Sequence, residues 1–418
     1  MAEIIVLGAG IVGVCVAIHL QRRGRSVVLL DRREPGRETS FGNAGVIQAE
    51  GVNPHAFPRD LGMLFGVALN RRLDARYDPV ALPGYAANLV RYWWHSAPER
   101  YQRMVAEYAP LIAHALPEHA ELIVAAEAGH LIEKKGWLWV FRTDKARDKA
   151  IADAARNAAA HGVGYRALDG GALAELEPDL LVRTAGGVHW TDPWTVRDPG
   201  ALTDAYVALF RKLGGTVGIG DARTLTEVGA GWTVTARDGA VTAPEIVLAL
   251  GPWAREATRA LGYRLPLFVK RGYHMHYRAA AGATLNRPAL DAERGYLLAP
   301  MAAGIRLTTG TEFAALDAPA NTRQIDGAEP IARSFFPLRE RVDNAPWLGA
   351  RPCTPDMKPI IGPAPGHKGL WFAIGHAHHG LTLGAVTGRL LAERMLGETP
   401  FLNLAPFAAE RFHGGKPG

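Results

Sequence analysis

The sequence predicts an α/β fold in which a parallel, helix-flanked sheet is interrupted by an α+β portion on a mostly antiparallel sheet. Three observations predict it. Ile4–Leu7 is a four-residue apolar run of buried-strand type that passes at once into Gly8-Ala9-Gly10-Ile11-Val12-Gly13. Gly272–Arg278 and Ile305–Gly310 alternate in polarity, the signature of strands with one face covered. Leu370–Ile374 is a second buried-type strand, far along the chain, that enters another glycine-rich turn and then a helix.

The first of these carries most of the argument. After the glycines, Val14–Arg23 has helical spacing and stops at Gly24, and a second strand, Ser26–Leu30, ends on Asp31. Strand, glycine turn, helix, strand and acid in this order form a Rossmann-like dinucleotide fingerprint. Gly8 suits the tight turn, Gly10 lets a pyrophosphate approach the backbone together with Ile11 and Val12, and Gly13 lets the helix pack on the sheet. The helix N-terminus offers free N–H groups and partial positive charge to the phosphates. Asp31 is placed to accept hydrogen bonds from ribose hydroxyls.

At 418 residues, with 48% hydrophobic and 21% charged, the chain is long enough for two domains of a globular protein. Its two cysteines, Cys15 and Cys353, make neither a disulfide framework nor a metal-ligand spacing, which suits a reducing compartment. Met1-Ala2-Glu3 leaves no room for a secretory leader ahead of the first strand. The uncharged run Ile4–Gln21 carries the glycine fingerprint and is too short to span a bilayer. A net charge of +6 is spread along the chain without the clustering that nucleic-acid binding needs. A cytoplasmic protein is expected.

Beyond Asp31, Arg32 and Arg33 lead into a loop and then Phe41-Gly42-Asn43-Ala44-Gly45-Val46-Ile47, whose small residues suggest backbone running close to a flat ligand. Residues 57–128 read as helical, broken by Pro58, Pro79, Pro83, Pro98, Pro110 and Pro117. Within them, Leu89–Trp94 sets three aromatics beside Arg91, which suits core packing or an interfacial face touching the inner surface of a membrane. Gly136–Arg142 reads as a strand, Lys145–His161, Leu173–Leu176 and Thr203–Leu213 as helices, and Trp232–Gly239 as a hairpin. Ile246–Leu250 is a buried strand stopping at Gly251. After Leu370–Ile374 come Gly375-His376-Ala377-His378-His379-Gly380-Leu381-Thr382 and a helix over Ala385–Leu396. There is no second GxGxxG, so a nicotinamide cofactor has no seat. The close histidines 376, 378 and 379 lack an acidic or cysteine partner, and no metal is expected.

These segments together carry a family resemblance. The N-terminal fingerprint, Thr39-Ser40-x-x-Asn43-Ala44-Gly45, Leu248–Ala254, Arg271-Gly272-Tyr273-His274, Gly349-x-Arg351-Pro352-x-Thr354-Pro355-Asp356 and Gly375-His376-x-x-x-Gly380-Leu381-Thr382 follow one another in a single order. The chain resembles the FAD-dependent D-amino-acid oxidase (DAO) superfamily, and within it bacterial D-amino-acid dehydrogenases. The likeness implies a glutathione-reductase-like FAD-binding domain over residues 1–60, 191–262 and 346–418. It implies a discontinuous α+β substrate domain over 61–190 and 263–345.

By the same resemblance, noncovalent FAD lies against the fingerprint, Asp31, Arg32 and Arg33, residues Thr39, Ser40, Gly42, Asn43, Ala44, Gly45 and Val46, Arg223 beside the adenine, and Gly251. Residues Gly375, His376, His379, Gly380, Leu381 and Thr382 then face the flavin's pyrimidine end, where a helix N-terminus stabilises charge developing on reduction. Some relatives attach FAD through a cysteine about where this chain has Gly349, so Cys353 is not expected to do so. Arg351 matches an arginine that holds the substrate carboxylate, a task suited to its bidentate fork. Tyr296 resembles a tyrosine adding a second hydrogen bond. Tyr273 and His274 are pocket candidates, of which strand alternation lets one face inward.

The implied activity is oxidative deamination of a D-amino or imino acid to the 2-oxo acid. Hydride passes from Cα to flavin N5, and the electrons pass on to a quinone or another acceptor. The alternatives on this fold are an O2-using oxidase of the glycine, sarcosine or D-proline type, or 2-hydroxy-acid oxidation. The latter needs a base such as His274 or His379.

Overall fold

The computed structural model describes residues 2–70 and 72–412. Among these, strands gather into a six-stranded sheet, an eleven-stranded sheet and two of three strands each. β1 (Ile4–Leu7) lies inside the six-stranded sheet, fully buried, between β2 (Val27–Asp31) and Glu245–Leu248. Thr216–Ile219 extends the sheet beyond β2, and Leu370–Ile374 extends it on the other side. All these pairs are parallel; only the edge strand Ile360–Pro363 runs antiparallel. Strands this apolar can be stable only with both faces covered. Because the chain leaves β1 toward β2 and fills the other flank later, a crevice opens at the strands' carboxyl ends, where ligands bind in such sheets.

The covering helix α1 (Ile11–Arg22) packs on the final helix, Gly380–Met395. Close approach is possible because Gly388 has no side chain: a Cβ there would lie 2.6 Å from the Cys15 carbonyl. Gly384 sits likewise against Ile11. Cys15 is a buried helix residue at this contact, its thiol unused.

The long strand Phe268–Ala279 organises the large sheet. It pairs antiparallel with Gly304–Thr308 (His274 opposite Thr308), as the alternation predicts, and with Trp347–Cys353 (Lys270 opposite Arg351). Trp347–Cys353, which the sequence division assigns to the FAD portion, is thus a strand of the large sheet. One face of that sheet buries Tyr273, Met275, Tyr277, Tyr296 and Leu298 against the helix Arg323–Phe335. The other face looks toward the six-stranded sheet.

Residues 57–128 are mainly helical, but the prolines do not break the helices where expected. Pro83 and Pro98 stand in the first turns of Leu82–His95 and Pro98–Ala113, where their missing N–H costs nothing, and Pro110 lies inside the latter helix. Tyr92 is buried, while Trp93 and Trp94 are exposed, each under an arginine: Arg59 at 4.3 Å and Arg100 at 3.6 Å. Among the described residues, no helix is long and apolar enough to cross a membrane. The last helix begins at Gly380 rather than Ala385, so its first free N–H groups belong to the glycine turn itself.

The helix contact predicts a contrast between glycines. Gly388→Ala should destabilise the purified protein by about 1–3 kcal/mol through overpacking against Cys15. Gly84→Ala, exposed in a helix with open space around it, should be neutral or stabilising by up to about 1 kcal/mol. Urea unfolding of both variants checks this.

Candidate active site

A single cavity of about 1930 Å³ runs from the carboxyl ends of the six-stranded sheet to the inner face of the large one. It exceeds the roughly 300–1,000 Å³ of ordinary ligand pockets. A dinucleotide and a second small molecule fit that size together.

At its nucleotide end each fingerprint glycine has a physical reason. Gly8 has φ +105°, and a Cβ there would meet the Ala249 carbonyl at 2.3 Å. Gly10 lines the cavity at the N-cap of α1, open to an incoming phosphate, with Ile11 and Val12 beside it. Gly13 does not reach the cavity; its missing Cβ clears the Gly8 carbonyl at 1.8 Å, so its task is helix packing. The Ile11 N–H donates to Ser40 Oγ at 2.9 Å, tying the fingerprint to the next segment.

Asp31 accepts from Ala9 N at 2.6 Å and Arg32 N at 2.7 Å. Burial pushes its pKa up, against the pull of those N–H groups. Arg32 lies over Trp253 at 3.9 Å and pairs with Glu38, itself a cavity residue not foreseen from the sequence. Arg33 is exposed and outside the cavity, holding Glu38 from the solvent side; it is not a lining residue as expected. Arg223 lines the rim with its side chain paired to Asp221, and Gly251 lines it at φ +52°.

Thr39, Ser40, Gly42, Asn43, Ala44 and Val46 line the middle. Gly45 does not; at φ +73° it turns the chain, and its carbonyl accepts from Val196 N at 2.6 Å. The smallness of Gly42 serves protein as well as ligand, since a Cβ would strike the Trp347 ring at 2.0 Å. His274 stacks on that ring at 4.8 Å and points Nδ1 at the Gly42 carbonyl. Burial, then Arg306, pulls its pKa down to about 2.

Among the described residues, His274, His276 and Asp343 are spaced as metal ligands could be. Both nitrogens of His276 are already engaged, Nδ1 with Asp343 at 2.8 Å and Nε2 by the Arg306 Nε–H at 2.9 Å. Arg306 also donates to the Asn43 carbonyl. The geometry is that of a hydrogen-bonded chain supporting the 39–46 segment.

From the late turn, His376, Ala377, His378, Gly380 and Leu381 line the cavity, and Gly375, His379 and Thr382 do not. Gly375 turns the chain at φ +79°. His379 shares a hydrogen bond with the Tyr108 hydroxyl at 2.6 Å and its other nitrogen contacts Gln48 Oε1. Thr382 Oγ1 accepts from Gln48 N at 3.1 Å. Both residues therefore position Gln48, which does line the cavity, and neither meets a ligand directly. His376 is bound to Thr387, its pKa pulled down to about 3 by burial.

At the substrate end, strand parity decides the expected residues. Arg351 shares a face with Lys270, Gly272, His274 and Trp347; Tyr273 and Tyr296 lie on the other face, in the core under the Arg323–Phe335 helix. The Tyr273 hydroxyl sits 2.8 Å from Glu312 and 2.9 Å from Arg271. The Tyr296 hydroxyl is enclosed near Asp291 and Arg142, its pKa raised by burial. Both tyrosines form part of the cavity wall, but neither hydroxyl is on the Arg351 side, which corrects both substrate roles.

Arg351 itself lines the cavity. It donates Nη1–H to the Gly310 carbonyl at 3.0 Å, and its guanidinium occupies the space a Gly272 side chain would fill, 2.8 Å from that Cβ position. Burial pulls its pKa down, and no carboxylate lies within 4 Å of it among the described residues. Lys270, His55 and His378 join it in the cavity; Lys270 and His55 were not singled out by the sequence, and His378 was weighed there only as a metal ligand. His55 and His378 have ring centroids 4.6 Å apart; burial pulls the pKa of His378 well below its ordinary value, and His55 beside it is exposed.

Comparisons with known proteins agree with this architecture. A family model described as DAO, FAD dependent oxidoreductase, matches residues 3–394. The chain is 31% identical over 425 residues to a D-amino-acid oxidase of Bradyrhizobium diazoefficiens, covering 98% of this chain and 99% of that one. It is 32% identical over 438 residues to a D-amino acid dehydrogenase of Methylobacterium radiotolerans, with the same coverages. The fold is similar to that of glycine oxidase from Geobacillus kaustophilus (TM-score 0.75, 20% identity, 98% of each chain). It is also similar to that of iminodiacetate oxidase from Chelativorans sp. BNC1 (TM-score 0.71, 21% identity, 97% and 98% covered).

The buried neutral histidines predict an acid-side loss of stability. With folded pKa values below the unfolded 6.5, their contribution is complete above pH 6.5 and is lost as pH falls toward about 3 for His376 and His379. Each such group should add about 1.4 kcal/mol per pH unit to the slope over this window. His379→Gln should lower the proton count of that slope by one, measured by urea unfolding at pH 7, 6 and 5.

Proposed function

Because the chain belongs to the DAO family of FAD-dependent oxidoreductases, we propose that it converts a D-amino or imino acid to the 2-oxo acid by oxidative deamination. The observation that carries the substrate class is Arg351, a cavity-facing guanidinium without a carboxylate of its own. FAD, when bound, supplies the two-electron acceptor for hydride from the substrate Cα. The residues that would hold it are the Gly8–Gly10 turn and α1 N-terminus for the pyrophosphate, and Asp31 for the ribose. The 39–46 segment with Gln48, and the Gly380 helix start, would hold the ring end.

Arg351 fixes the carboxylate by two N–H donors, so the amino carbon is delivered in one orientation. Gly310 O holds one edge of the guanidinium and Gly272 leaves it room, so it is set before the substrate arrives. His378, held neutral by burial, adds no charge to repel the amine and offers a ring nitrogen as acceptor. The aromatic walls Tyr92, Phe57 and Phe313 limit water. The hydroxy-acid alternative loses support, since neither proposed base, His274 or His379, lines the cavity.

FAD is proposed to be held noncovalently. A cysteine at position 349 would collide with the Trp347 ring at 2.1 Å, and the Cys353 thiol points at the Arg351 carbonyl, its pKa raised by burial. The electron acceptor is proposed to be a quinone in the membrane. The relative at 32% identity named a dehydrogenase supports this, as do the exposed Trp93 and Trp94 with their arginines.

Arg351→Met should keep its yellow colour and lose roughly 30- to 1,000-fold in kcat/KM for amino-acid reduction of the flavin, followed anaerobically. Undiminished turnover would remove Arg351 from the site. Acid precipitation should leave the colour in the supernatant; colour in the pellet would mean covalent attachment. In stopped flow, reoxidation by quinone-loaded vesicles should outpace reoxidation by air, and the reverse order would make the protein an oxidase.

A further inference from the structure

The long strand and its neighbour Trp347–Cys353 carry three cations of very different standing. Arg271 is completely buried on the outer face, within 3.1 Å of the Glu312 carboxylate and donating to Tyr273 and to the carbonyls of Ala315, Ala318 and Pro319. Its charge is fully answered by the protein. Lys270 and Arg351, directly opposite one another across the antiparallel pair, face the cavity instead. Like charges in opposed positions destabilise a sheet. Even so, no Asp or Glu oxygen lies within 4 Å of either head group among the described residues.

The two head groups are drawn apart. The Arg351 guanidinium leans over Gly272, two residues along the strand from Lys270, which is a shift of about 7 Å. The Lys270 ammonium leans the other way, donating to the Tyr92 hydroxyl at 3.1 Å and lying 4.3 Å from the centre of that ring. A neutral phenol and an aromatic face hold a cation in place without cancelling its charge. The imidazoles that share this end, His55 and His378, are neutral or cationic and supply no anion either. A monocarboxylate on Arg351 would answer one charge and leave the other, half-buried, without an anionic partner.

We infer that the substrate carries a second carboxylate, as an acidic amino acid or a dicarboxylic imino acid does, and that Lys270 binds it while Arg351 holds the α-carboxylate. This rests on the oxidative reading above for the reaction, but the binding claim stands on the two cations alone. Arg351, rigid and forked, suits the group whose orientation decides reactivity. Lys270, a flexible point charge, suits the distal group. The collar of Tyr92, Phe313 and Met357 keeps that end short.

The test uses the FAD-loaded enzyme and unreactive acids, so it does not depend on turnover. Calorimetric titration should show succinate binding at least about tenfold tighter than butyrate, the worth of one charge-assisted hydrogen bond. Lys270→Met should erase that preference and Lys270→Arg should restore most of it. Equal affinity for the two acids in the wild type, or a preference that survives Lys270→Met, would overturn the inference. In turnover, the ratio of kcat/KM for D-glutamate over D-norvaline should fall about 10- to 100-fold in Lys270→Met. If no amino acid reduces the flavin, the oxidative reading fails, while the succinate titration still decides the role of Lys270.

Discussion

A half-buried guanidinium facing the cavity, hydrogen-bonded to one carbonyl and given no carboxylate, is the constraint from which the rest of the site follows. Arg351 can lie where it does because residue 272 is glycine and because Gly310 turns its carbonyl inward. Both depend on the register of three antiparallel strands, in which Gly272 faces Gly349 and His274 faces both Trp347 and Thr308. A slip of the long strand by one residue would turn Lys270 away from the Arg351 side and bring Arg271 to the cavity. The buried Arg271–Glu312–Tyr273 network resists that slip, since it is satisfied only on the outer face.

The cofactor half is organised by contact between backbones. Gly8 and Gly13 bring the first strand and its helix together, and Gly384 and Gly388 bring that helix to the last one. The ends of the chain are thereby fastened side by side, and the N-termini of both helices open on one cavity. Charge at those ends comes from peptide dipoles, which need no titratable group and so keep their sign at every pH. The histidines around them are correspondingly neutral: His376, His379 and His274 are spent on Thr387, Tyr108 with Gln48, and Gly42 with Trp347.

These pairings give several residues a supporting part. His379 and Thr382 hold Gln48; Arg306 and His276 hold the Asn43 carbonyl; Arg33 holds Glu38 from outside. Each stands in or near a glycine-rich segment, and the sequence alone does not separate a residue that touches a ligand from one that aims its neighbour.

The sequence by itself determined the nucleotide half, because a βαβ unit is local. Its strands, turn, helix and acid lie within one stretch, and hydrophobic period and glycine position report them directly. It also pointed to Arg351, through the Gly-x-Arg-Pro setting and the likeness it carries, and the structure puts that side chain in the cavity wall. Only the tertiary structure decided which side chains join that arginine. Lys270, His378 and the pair Gln48 and His55 come from three distant segments, and no periodicity links them. Tyr273 and Tyr296 were legible as strand residues, but the face each presents depends on pairing with strands tens of residues away. Alternation states that neighbours point oppositely; only the packed sheet states which direction is in.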